Sequence, residues 1–129
     1  MMKKTVFMLG MAVLLAGGVF AQQAEMPVAS KDELVTMTGV VVDNMCAGSQ
    51  SPEKLAEFVK SHSKECALAP ACAASGYSIF ARGQLWKFDE ASSGRIEDFL
   101  KNAESKLQVV VDARKTGDIL TLVAIRNQE

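Results

Sequence analysis

Five short runs rich in β-branched and aromatic residues set the limits on what this chain can fold into. They are residues 34–43, with Val40-Val41-Val42 inside, then 77–81, 84–88, 107–113 and 119–126. Each has strand length and is bounded by turn-forming residues. Arg82-Gly83 joins the second and third runs and suits a tight hairpin, with Gly83 supplying a positive φ. Lys115-Thr116-Gly117-Asp118 joins the last two as a turn. Gly39, inside the first run, predicts a bend or bulge in that strand.

Two helical patterns fall between the strands. Ser51 is a good N-cap, Pro52 suits the first helical position, and Glu53 follows. Leu55, Phe58, Val59 and His62 then recur on one helical face. Ile96, Phe99, Leu100 and Ala103 repeat the spacing and predict a second helix over about 94–102. The order is strand, helical insertion, hairpin, helix, hairpin. A helix between the third and fourth of five strands is the layout of an OB-like β-barrel, and partial closure would limit the exposed edges of so small a sheet. The fold expected is therefore mainly β, a five-stranded OB-like barrel with an insertion at 44–76. The competing fold is a five-stranded α+β sheet with one helix on its face.

The N-terminus reads as an export signal. Lys3 and Lys4 precede an apolar run from Val6 to Val19, and Val19-Phe20-Ala21 places small residues where a signal peptidase reads. Cleavage is expected between Ala21 and Gln22. The run is too short and too glycine-rich to stay as a membrane anchor. Residues 22–33 read as a flexible leader, and residues 34–129 as one domain. Removing Lys3 and Lys4 from the 14 basic residues leaves 12 against 15 acidic, a net charge of −3. With no basic tract left, nucleic-acid and anionic-membrane partners are disfavoured. The expected location is the periplasm or the exterior of a bacterial cell.

The insertion holds all three cysteines, Cys46, Cys66 and Cys72, and the chain's one histidine, His62. Two states compete. In an oxidising compartment three cysteines most simply give one disulfide and one thiol, with Cys46 bridged to Cys66 or Cys72. Closing such a loop of about 20 residues stabilises on the order of 3 kcal/mol. The other state is a metal site. Should the helix continue past His62, His62 and Cys66 at i, i+4 share a face, and Cys46, His62, Cys66 and Cys72 together make a Cys₃His set suited to zinc or copper. The two states exclude each other in any one molecule.

Other chemistry lacks its template. The sequence has no C-x-x-C, no haem-attachment motif, no G-x-S-x-G and no phosphate-binding glycine loop. Asp89 with Glu90, and Glu97 with Asp98, read as solvated turn and helix charges. Tyr77 and Trp86 on adjacent strands offer an aromatic ligand patch or, as the plainer reading, core packing.

Asp43-x-x-Cys46, His62-x-x-x-Cys66-Ala67, Cys72, Ser75-Gly76-Tyr77 and Gly83-x-x-x-Lys87-Phe88-Asp89 together resemble a group of small secreted bacterial proteins of uncharacterised function. The resemblance covers about residues 36–126. It implies a similar small β-rich domain with a cysteine–histidine insertion, and it brings no activity with it. The expectation is an exported, non-catalytic binding or structural module of the cell envelope, stabilised by one disulfide and needing no cofactor. The alternatives are a metal-binding protein and, after that, a thiol redox protein. A leftover thiol would also allow a disulfide-linked dimer.

Overall fold

The computed structural model describes residues 32–129, so the expected signal peptide and most of the leader lie outside the described residues. The fold is mainly β, with five strands and five helices, three of them a single turn. β1 (Glu33–Asp43) is followed by α1 (Asn44–Gly48), α2 (Pro52–Ser61), α3 (Lys64–Ala67) and α4 (Pro70–Ala74). Then come β2 (Tyr77–Ala81), β3 (Gln84–Phe88), α5 (Glu90–Lys101), β4 (Gln108–Thr116) and β5 (Ile119–Asn127). All five strands lie where the β-rich runs placed them. Among the described residues no helix is long and apolar enough to cross a membrane.

The ladders close into a ring in the order β1-β2-β3-β5-β4. Closure depends on β1, which changes partner along its length. Its first part pairs antiparallel with β4, from Glu33↔Lys115 to Val40↔Gln108. From Val40↔Phe80 to Asp43↔Tyr77 it pairs with β2 instead. Gly39 sits at this switch. The expected bulge is not there, because the β1–β4 register runs through Gly39 without a shift; the irregularity in the sheet falls between Asp112 and Ala113 of β4. Gly39 is required for another reason: a Cβ at this position would collide with the Phe80 carbonyl oxygen as β2 crosses. The β2–β3 hairpin turns through Arg82 (φ 55°) and Gly83 (φ 78°), both left-handed, which matches the twist of the flanking strands.

β3 meets β5 in parallel over only Lys87↔Ile119 and Phe88↔Leu120. α5 reinforces this weak seam. It begins four residues earlier than its apolar periodicity predicts, because Asp89 is the N-cap and accepts a hydrogen bond from Ser92 N. Asp89 also accepts from Thr121 Oγ1 at 2.7 Å, so it is a structural tie and not a solvated charge. Leu122 N donates to Ser92 Oγ at 2.7 Å, and the Arg95 guanidinium donates to the Leu122 and Val123 carbonyls at 2.6 and 3.0 Å. These bonds occupy a strand edge that would otherwise be open to pairing. Ile96 and Leu100 of α5 are fully buried with Val41, Ile79, Val109 and Leu120 in the main core.

Candidate metal centre

The insertion is tied at its neck. Asp43 and Tyr77 face each other across β1 and β2, Asn44 N donates to Gly76 O at 2.9 Å, and Asn44 Nδ2 donates to Ser75 O at 2.9 Å. Beyond that rung, α2 packs Leu55 and Val59 on Val42 and Ala47, a small second core. α3 is held differently. The Tyr77 hydroxyl, fully buried, donates to Ala67 O at 2.8 Å. Lys64 Nζ donates to Asn102 O and Ser105 O, each at 2.9 Å, beyond the C-terminus of α5.

His62 and Cys66 do not share a helical face. α2 stops at Ser61, and His62 is its C-cap in an extended conformation (φ −68°, ψ 133°). Ser63 then caps the separate turn α3, accepting from Cys66 N at 3.1 Å. The expected i, i+4 pair is therefore replaced by a chain reversal, which swings Cys66 back toward Cys46. Asp43 plays the same part for α1, its Oδ2 accepting from Cys46 N at 2.9 Å. Pro70 opens α4, with Ala69 as a non-helical N-cap (φ −56°, ψ 139°). The three cysteines thus occupy one equivalent position, third in a single-turn helix, each three residues after its N-cap.

Cys46 is the hub of the site. Its Sγ lies 3.9 Å from Cys66 Sγ and 3.9 Å from Cys72 Sγ. All three cysteines are free, so the structure holds no Cys46–Cys66 or Cys46–Cys72 disulfide, for which the sulfurs would have to close to about 2.04 Å. A separation of 3.9 Å is close to the edge of a tetrahedron with metal–sulfur bonds of about 2.3 Å, an edge of about 3.8 Å. The potential ligand atoms form two groups that share Cys46: Cys46, His62 and Cys66, and Asp43, Cys46 and Cys72, each within 4.8 Å. The four residues named from the sequence come together, but Cys72 joins through Cys46 and beside Asp43, not as an equal neighbour of His62.

Asp43 was not among the candidate ligands, and the site depends on it. Asp43 is fully buried at the end of β1, and its Oδ1 lies 2.8 Å from His62 Nε2, the imidazole being 1% exposed. In the neutral imidazole with the carboxylate as acceptor, Nε2 carries the hydrogen and Nδ1 keeps a lone pair. Phe58 packs against the ring at 5.0 Å between centroids. Nδ1 is, among the described residues, the one buried side-chain nitrogen or oxygen without a hydrogen-bond partner. Leaving such an atom unsatisfied costs about 1–3 kcal/mol. A carboxylate on one imidazole nitrogen, fixing the ring and leaving the other nitrogen for a cation, is the usual arrangement of a metal-bound histidine. The Asp43-x-x-Cys46 spacing that makes an N-cap was the available sequence signal for this residue.

Burial pushes the Cys46 thiol up to about 12, helped by the Asp43 carboxylate and the neighbouring thiols. Cys72 is raised as well, chiefly by burial. Both thiols are therefore mostly protonated in the absence of a cation, and a bound cation would take the place of the proton. Tyr77 is raised to about 12, first by burial and then by nearby acidic groups, and its hydroxyl is a fixed donor. With Tyr77 inside the core and Trp86 only half buried, under Lys115 Nζ at 5.4 Å, these two do not make a shared ligand patch.

Comparison with protein-family models, curated proteins and solved structures finds no match for the chain.

Proposed function

We propose that the chain is an exported metal-binding module in which an OB-like barrel carries a Cys₃His centre. The OB-like assignment draws on the ring order β1-β2-β3-β5-β4 and on α5 lying between β3 and β4. Cys46, His62 and Cys66 form the ligand core, and Cys72, 3.9 Å from Cys46, supplies the fourth position. Asp43 orients His62. The mixed sulfur and imidazole set suits zinc first and copper(I) second. The observation that carries the reading is His62: its imidazole is buried, held at Nε2 by Asp43, without a partner at Nδ1, and has a ring nitrogen within 4.8 Å of the Cys46 and Cys66 sulfurs.

The role is structural as well as binding. α1, α3 and α4 are single turns, far below the length at which an isolated helix persists. A bound ion would fix three of them to one point, so binding free energy becomes folding free energy of the insertion. Full-length protein purified without chelator should contain one metal per chain by elemental analysis. A chelator should lower its thermal stability, and cobalt(II) should give the visible spectrum of a tetrahedral thiolate site. Metal-free protein whose melting is indifferent to zinc, with no cobalt spectrum, would rule the reading out.

The disulfide-stabilised module is the second reading. It draws on the same 3.9 Å separations, which a shift of about 2 Å converts to a bond.

A further inference from the structure

The cluster is built for more than holding an ion. We propose that, when metal-free, it exchanges thiols with an external organic disulfide, with Cys66 as the entry thiol and Cys46 as the resolving thiol. The inference rests on the metal reading in one respect only: metal and exchange compete for the same sulfurs.

Exposure and distance assign the order. Cys66 is the exposed residue of the three although its ligating group is half-buried like that of Cys46, and Cys72 is buried. A bulky disulfide therefore meets Cys66 first. The Cys66 thiolate attacks one sulfur of the external disulfide; a mixed disulfide forms, the external sulfur–sulfur bond breaks, and one thiolate leaves and takes a proton from water. Cys46 Sγ stands 3.9 Å from Cys66 Sγ. It attacks that sulfur, the Cys46–Cys66 bond forms, and the second external thiolate leaves. Two protein thiols are oxidised and one external disulfide is reduced to two thiols. The second attack is intramolecular, so proximity compensates for the small thiolate fraction of a buried thiol.

Cys72 adds a third step. It lies 3.9 Å from Cys46 on the buried side, within reach of the new bridge. Attack by Cys72 on Cys46 Sγ forms Cys46–Cys72 and returns Cys66 as a free thiol, with no net electron change. Cys46 belongs to both bridges, because each of the other two sulfurs has it as a close neighbour. Either bridge removes two metal ligands, so the bridged protein cannot take up the ion until the bridge is reduced.

The test uses the full chain, metal-loaded and metal-free, incubated with oxidised glutathione and followed by intact mass and peptide mapping. In metal-free protein the expected sequence is a glutathione adduct on Cys66, then its loss to an internal bridge that always contains Cys46. The metal-loaded form should stay unmodified until chelator is added. Cys66→Ser should abolish the adduct, and Cys46→Ser should trap it on Cys66. First modification at Cys46 or Cys72, or a stable Cys66 adduct in the wild-type chain without any bridge, would overturn the proposal; the wild-type mapping decides this even where a variant fails to fold. If elemental analysis finds no metal while the bridge still forms through Cys46, the metal reading fails and the exchange stands. If metal binds and protects but the metal-free thiols do not bridge, the exchange alone fails.

Discussion

Asp43→Asn separates the geometry of the centre from its electronics. The substitution keeps size and planarity, but offers one acceptor where the carboxylate offers two. Both are in use: Oδ2 accepts from Cys46 N at 2.9 Å and Oδ1 lies 2.8 Å from His62 Nε2. If the amide oxygen keeps the cap on Cys46, the amide NH₂ faces Nε2 and favours the other tautomer, with hydrogen on Nδ1. That hydrogen occupies the position a metal would take. Loss of a carboxylate that orients a metal-bound histidine weakens metal binding by about 10–100-fold, about 1.4–2.8 kcal/mol at 1.4 kcal/mol per tenfold. Without metal the variant still buries an imperfect pair, at a cost of about 1–3 kcal/mol. Competition with a chromophoric chelator measures the first quantity and urea unfolding in chelator the second. Zinc affinity unchanged within about twofold, beside a clear loss of metal-free stability, would show that Asp43 only supports the fold and that Nδ1 is not a ligand.

Three further outcomes are expected. Tyr77→Phe leaves the buried Ala67 carbonyl without its donor and should lower stability by about 1–2 kcal/mol, read by urea unfolding; no change would mean that α3 is not anchored there. Gly39→Ala drives a methyl group into the Phe80 carbonyl at the partner switch of β1 and should cost about 3 kcal/mol or more, a loss of soluble folded protein by circular dichroism. For Asp89, burial alone would raise the carboxyl, but hydrogen bonds from Ser92 and Thr121 outweigh it and hold the group below its usual value. Its contribution is complete above the unfolded carboxylate value near 3.9 and is lost as pH falls through the lower folded value. Asp89→Asn, which can still cap α5, should therefore lower stability near neutrality and flatten the acid limb of the stability curve; parallel curves for variant and parent would refute the assignment.

The strands were legible in the sequence because each β-branched run is short, bounded by turn residues and too long to be a turn itself. The pairing order was less so. β1 switches partner at Val40 because β2 crosses it there, and nothing local to Gly39 distinguishes a crossing strand from a bulge. The site was legible as residue types and not as geometry. Apolar periodicity carried the first helix through His62, while the break at Ser63 depends on a cap that competes with helix propagation. Asp43 was passed over because, four residues after Gly39, it reads as the polar end of a strand; its burial and its hold on His62 arise only when residues 44–62 fold back over it. Asp89 was misread for a similar reason, since a cap and a solvated turn residue look alike until Thr121 arrives from a strand more than thirty residues away.

Asp43 and Tyr77 share one rung of the sheet, and the whole cysteine-bearing segment leaves and returns through it. In polymer terms this is a loop of roughly 30 residues whose two ends meet on that rung, and its closure costs about 3 kcal/mol of chain entropy. The strand ring meets that cost with its own β1–β2 ladder. Beyond the rung the segment meets the rest of the fold through α2 on Val42, the Ala67 carbonyl on Tyr77 and Lys64 beyond α5, so changes away from these contacts leave the strand ring as it is. The chemistry is attached at one doorway of the scaffold, and the residue at that doorway, Asp43, is the one that answers to both.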